Sequence, residues 1–132
     1  MKKSKIVIIV SSVAIIALFI SCYLIYNSLF PIAPPIVSPH PDTVQSFEVK
    51  DDSGNTYSVD LLSFYCFLLD SEPTRIMSAN DYPDTRPYYE VSISNSERFY
   101  RYYLYTSGGQ DYIEIPYVGV YEIQNFKIEN LL

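Results

Sequence analysis

The sequence has no tryptophan, one histidine, two cysteines and four glycines. Each scarcity removes a class of chemistry. The single histidine, His40, stands between Pro39 and Pro41. It is read as a solvated linker side chain, which leaves no base for a Ser–His–acid triad or a Cys–His pair. Cys22 and Cys66 are too few, even with His40, for a Cys/His zinc site. Cys66 is the only cysteine beyond residue 30, so no internal disulfide is expected there. Four glycines do not make a phosphate-cradling loop. Asp51-Asp52-Ser53-Gly54-Asn55 looks like the opening of a calcium loop. The glutamate such a loop needs at its twelfth position is replaced by Leu62 or Ser63, depending on the start, so the segment is read as a turn. No catalytic residue, cofactor or metal is expected. A carboxylate pair of the glycosidase type is the one enzymatic chemistry the composition leaves open.

Positive charge is also scarce where a nucleic acid would need it. Lys2, Lys3 and Lys5 precede every acidic residue, and only six Lys and Arg accompany the fifteen Asp and Glu that follow. The head is therefore +3 and the remainder −9. A surface of that sign repels a phosphate backbone, so nucleic acid is not an expected partner. Anionic wall polymers are repelled as well, unless divalent cations bridge.

What the chain does have is a long apolar run, 6–26, with no charge inside it. As a helix it spans about 32 Å, close to the ~30 Å hydrocarbon layer. Residues 1–29 are read as a membrane anchor. Its cationic head predicts a cytoplasmic N-terminus and an extracytoplasmic remainder. Tyr23 and Tyr26 stand near the outer end, where amphipathic rings favour the headgroup zone. Two other readings stay open. One is a cleaved signal, against which the run is long and lacks an Ala-x-Ala-like end. The other is a lipoprotein signal: Leu18-Phe19-Ile20-Ser21-Cys22 resembles a lipobox, with Cys22 as the lipidated residue. Against it stand Phe19, where Leu is usual, and the apolar Tyr23-Leu24-Ile25-Tyr26 after the cysteine.

Residues 30–44 carry five prolines, at 31, 34, 35, 39 and 41. Such a stretch cannot be helix or central strand and is expected to be a polyproline-like stalk, roughly 30 Å long. Ile32, Ile36 and Val37 offer contacts with headgroups or with the domain that would shorten it. Residues 45–132 are enough for one small α+β domain. Strands are expected at 46–50 and 56–59 around the Asp51–Asn55 turn chemistry, forming a hairpin. Asp60 caps a helix from Leu61 to about Asp70. Cys66 within it is read as a small buried hydrophobe. An irregular connection, 74–87, follows. The alternation at 88–94, 98–106, 111–115 and 120–123 predicts an antiparallel meander, with Gly119 relieving the backbone after Pro116. Phe126, Ile128, Leu131 and Leu132 close the core.

The order Ser78-Ala79-Asn80-Asp81-Tyr82-Pro83, then Tyr112-Ile113-Glu114-Ile115-Pro116-Tyr117-Val118-Gly119-Val120-Tyr121-Glu122-Ile123, resembles a Gram-positive bacterial family of short membrane-anchored extracytoplasmic proteins with a domain of unknown function. The likeness covers about 45–123, with Ala79 where Val is usual. It implies a membrane segment and an outer domain, and it assigns no activity and no catalytic residue.

Twelve tyrosines lie between Tyr57 and Tyr121. In a strand over 98–106, Phe99, Arg101, Tyr103 and Tyr105 share one face, and Tyr100, Tyr102 and Leu104 the other. One helix covers only one face, so the first set is expected to show rings at the surface. Tyr and Arg are favoured in protein interfaces. Phe99, Arg101, Tyr103 and Tyr105, with Tyr112 as cross-strand neighbour, are thus the candidate contact set of a non-catalytic module binding an envelope protein. The alternative is a glycan or small-ligand sensor using the same rings. The competing structural reading is that tyrosine simply favours strands.

Overall fold

A computed structural model describes residues 2–132. The chain forms two compact units, Met1–Ile32 and Ala33–Leu132.

The first unit is one helix, α1, Lys2–Leu29. Its polar side chains turn inward to the backbone: Ser11, Ser12 and Ser21 each donate to the carbonyl four residues back at 2.8 Å. Asn27 donates to the Tyr23 carbonyl at 3.0 Å. An apolar surrounding demands such internal satisfaction. The helix is long and apolar enough to cross a membrane, a property that a signal sequence shares.

The second unit is α+β. Its single sheet has seven antiparallel strands: β1 Ser46–Asp51, β2 Thr56–Tyr57, β3 Ser71–Pro73, β4 Tyr88–Ser94, β5 Phe99–Ser107, β6 Gln110–Ile115 and β7 Gly119–Ile123. The spatial order is β2-β1-β4-β5-β6-β7-β3. The expected hairpin and meander are both present, joined where β1 pairs with β4. Strand β3 was not expected. It has three residues, ends in Pro73, and pairs with β7 at the far edge, where a missing N–H is tolerated.

Helix α2, Leu61–Leu69, starts where Asp60 accepts the Ser63 N–H at 2.9 Å. It lays Phe64, Phe67 and Leu68 on the sheet face formed by Val49, Val91, Ile93, Tyr102, Leu104, Ile113, Tyr121 and Ile123. A short C-terminal helix, α3, Ile128–Leu131, adds Ile128 to that core. Asp70 ties the segment before α3, accepting the N–H groups of Asn125 and Phe126 at 2.7 and 2.8 Å. Cys66 is exposed, not buried. The core takes the α2 stripe through Phe64, Phe67 and Leu68, which turns Cys66 outward with the exposed Leu62 and Leu69.

The proline-rich segment is not a free-standing stalk. From Ala33 onward it is a strap along the domain. The Ala33 N–H donates to the Thr74 carbonyl at 2.9 Å, and Ala33 and Pro39 are buried. Three tyrosine hydroxyls from the domain donate to strap carbonyls: Tyr121 to Pro34, Tyr102 to Val37 at 2.7 Å, and Tyr65 to Pro39. A polyproline-like segment has no internal hydrogen bonds, so its carbonyls are free for such clips. Gly119 belongs to this contact. Its role is close approach, not a left-handed backbone: a Cβ built on it would lie 2.6 Å from the Ala33 Cβ.

Candidate functional site

The second face of the sheet carries Phe99, Arg101, Tyr103 and Tyr105, as the alternation requires. Half of that face is covered. The irregular 74–87 segment folds over it, burying Ser78 and Pro83. Ser78 donates to Glu114 at 2.7 Å beneath this cover. Tyr103 and Tyr105 are only 3 % and 8 % exposed. The expectation that they show rings at the surface is therefore corrected: a connection without periodicity supplies the layer that no second helix provides. Tyr112 is half-buried and stacks on Tyr105, with centroids 5.6 Å apart.

Under that cover Tyr103 lies in register between two carboxylates, Glu90 of β4 and Glu114 of β6. Its hydroxyl donates to Glu90 at 3.3 Å. Burial first, then the Glu90 charge, push its pKa up to about 12. Tyr105 is raised further, by burial and then by Glu114. Both groups stay protonated donors at neutral pH. Among the described residues no three His, Cys, Asp or Glu side chains converge as a metal site.

The other half of the face is open. Strand β5 is nine residues long and β6 only six. Pairing between them begins at Tyr103↔Glu114, so 99–102 have β4 on one side and no strand on the other. Beside this stretch lies a cavity of about 610 Å³. Its walls are the strap residues Pro34, Pro35 and Val37 on one side and Phe99, Arg101 and Tyr102 of β5 on another. Phe99 is 58 % exposed, and the Arg101 guanidinium sits 5.3 Å from its ring centroid. Arg101 also pairs with Glu90 at 3.3 Å. Arg98, on the same wall, has no ion-pair partner among the described residues. Of the five residues singled out from the sequence, the structure brings Phe99 and Arg101 to an open site and places Tyr103, Tyr105 and Tyr112 behind it. The strap walls were missed. Cys22 lies exposed on α1, in the other unit.

The β6–β7 turn closes a further side of this cavity through Ile115, Pro116 and Val118. The Val118 N–H donates to the Ile115 carbonyl at 3.0 Å, closing a turn with Pro116 and Tyr117 in the middle. Tyr117 has φ 60°, the left-handed conformation that such a turn normally assigns to glycine. Its exposed ring is steadied by a hydroxyl donation to Asp81 at 2.8 Å, which raises its pKa. Proline after β6 was legible as a stop. The strained residue is Tyr117, two positions before the glycine expected to relieve it.

A family model, DUF5301, described as a domain of unknown function (DUF5300), matches residues 34–122. The chain belongs to this family. The match takes in the strap, all seven strands and α2, and stops one residue short of the end of β7. No curated protein and no solved structure matches the chain.

Proposed function

We propose that this chain is a single-pass, non-catalytic interaction module of a Gram-positive cell envelope. In this reading α1 crosses the cell membrane with its N-terminus cytoplasmic, and Ala33–Leu132 stands outside. The cationic head supports the orientation. The domain's task is to hold a segment of another envelope protein at the open end of β5. The observation that carries the reading is this end itself: four residues of strand without a neighbour on one side, an exposed Phe99, and two arginines on one wall of an apolar cavity. A strand edge with side-chain pockets beside it is how sheets capture extended peptides. Phe99 and Arg101 keep their assignment as contact residues, and Arg98 joins them.

Photo-crosslinking in intact cells tests this. A photoreactive residue at position 99 is expected to trap a discrete partner band that Arg98→Glu abolishes. The same residue at position 56, on the far sheet edge, should not trap it. Equal trapping at 99 and 56, or trapping indifferent to Arg98→Glu, refutes the site.

A further inference from the structure

The domain exposes a compact apolar rim around the point where the chain enters it. Ile76, Met77, Tyr117 and Val118 are 54 %, 69 %, 65 % and 43 % exposed. They are neighbours through the backbone. The Val120 N–H donates to the Ile76 carbonyl at 3.1 Å, and Thr74 bonds both Ala33 and Val120. A Cβ built on Gly119, which adjoins Val118, would touch Ala33. The backbone at Ile76 and at Gly119 thus lies beside the first residue of the domain, with Met77, Val118 and Tyr117 next to these two in sequence. Arg75 flanks the cluster in sequence, and Asp81 touches it through Tyr117.

We propose that this rim seats on the headgroup layer of the membrane. The proposal rests on the reading of α1 as a membrane helix and adds the surface by which the domain meets the lipid. Only Phe30, Pro31 and Ile32 lie between Leu29, the last residue of α1, and Ala33. Four backbone steps span at most about 14 Å. The polar layer on each side of the hydrocarbon core is itself about 5–7 Å thick. In a bilayer around α1, this covalent link keeps Ala33 and the residues beside it within that reach of the lipid. Their chemistry fits: two aliphatic side chains, a flexible Met, and a Tyr with an apolar body and a polar tip, the residue that favours the membrane–water boundary. The occupant is a lipid surface, not a second copy or a soluble protein, because the three-residue link keeps Ala33 within reach of the lipid around α1 whatever else is present.

The test uses the full chain in nanodiscs of phosphatidylcholine and phosphatidylglycerol that contain a lipid with a nitroxide on its headgroup. Amide signals of Ile76, Met77, Tyr117 and Val118 are expected to lose intensity several-fold. Those of Asn55 and Thr56, four to five strands away and so about 20 Å or more distant, should be unchanged. Tyr117→Gly suits the turn's backbone while removing the ring. Combined with Met77→Gln, it should restore the rim signals without altering the rest of the sheet spectrum. Uniform signal loss, no loss, or a loss that follows protein concentration instead of the spin label overturns the seat. A chain that co-elutes with nanodiscs yet shows no rim effect refutes the seat alone. A chain that does not co-elute refutes the anchor and takes the seat with it.

Discussion

Gly119→Ala is the sharpest test of how the strap is held. The added methyl would sit 2.6 Å from the Ala33 Cβ, well inside the distance two carbons tolerate. The next nearest atoms, the Ala33 Cα and the Ile76 carbonyl oxygen, are at ordinary contact distances of 3.6 and 3.8 Å. One methyl on the strap therefore causes the whole conflict. Overpacking of this kind costs about 1–3 kcal/mol. Ala33→Gly alone loses a buried methyl and loosens the unfolded chain, costing about 1–2 kcal/mol. Were the two sites independent, the double variant would carry the sum. Since the clash needs both methyls, Gly119→Ala with Ala33→Gly should be little worse than Ala33→Gly alone, a coupling of about 2 kcal/mol. Urea unfolding of the full chain in a mild non-ionic detergent, followed by near-ultraviolet tyrosine circular dichroism, reads this directly. With a slope of roughly 2 kcal/mol/M, Gly119→Ala should lower the midpoint by about 1 M, and adding Ala33→Gly should lower it no further, where independent sites would give a fall of nearly 2 M. Additive costs, or a Gly119→Ala midpoint equal to the parent's, would show that the strap does not pack on β7.

The clips themselves should be measurable. Tyr102→Phe and Tyr121→Phe each remove a hydroxyl that holds a strap carbonyl, and each should cost about 1 kcal/mol. Both should also speed hydrogen exchange at the Ala33 amide more than at core amides of β4, and equal acceleration at both places would contradict the clip. Alkaline titration tests the buried rings. The pKa values of Tyr102, Tyr103, Tyr105 and Tyr121 are all raised chiefly by burial, Tyr103 to about 12. The folded state thus holds these protons more tightly than the unfolded state. Their stabilisation is complete below pH 10 and is lost as pH rises through their folded values, with a slope of about 1.4 kcal/mol per pH unit for each ring still protonated only in the fold. Stability that stays flat between pH 10 and 12 would refute the burial of these hydroxyls.

The strands and α2 were legible because their signals are local. Alternation in 88–94 and 98–106, the Asp60 cap and the Ser107-Gly108-Gly109-Gln110 turn each act within a few residues. Gly108 and Gly109 do adopt the positive φ that such a turn needs. The strap was not legible as a docked element. A proline-rich run has the same local conformation whether free or bound, and its partners lie 26, 65 and 87 residues away. The cover over Tyr103 and Tyr105 failed to register for a related reason. Segment 74–87 has no period, and its buried residues are a serine and a proline, types usually met at the surface. Alternation divides the side chains of β5 between two faces, but it carries no information on which half of a face a loop occupies.

Tyrosine is the residue that connects these observations. Phenylalanine could fill the same core, but it could not bond the strap. Tryptophan is absent, and its N–H would come at a larger volume. A domain with no disulfide fixes its first residues by giving buried rings a polar tip that reaches the strap. This has a consequence for binding. Pro34, Pro35 and Val37, whose position depends on Tyr121 and Tyr102, are one wall of the cavity at the open end of β5. The opposite wall is strand β5. A ligand at this cavity that touches the strap would hold it down, and by reciprocity whatever loosens the strap would weaken that ligand's binding. A contact surface confined to the sheet, made of β5 side chains alone, would have no such coupling.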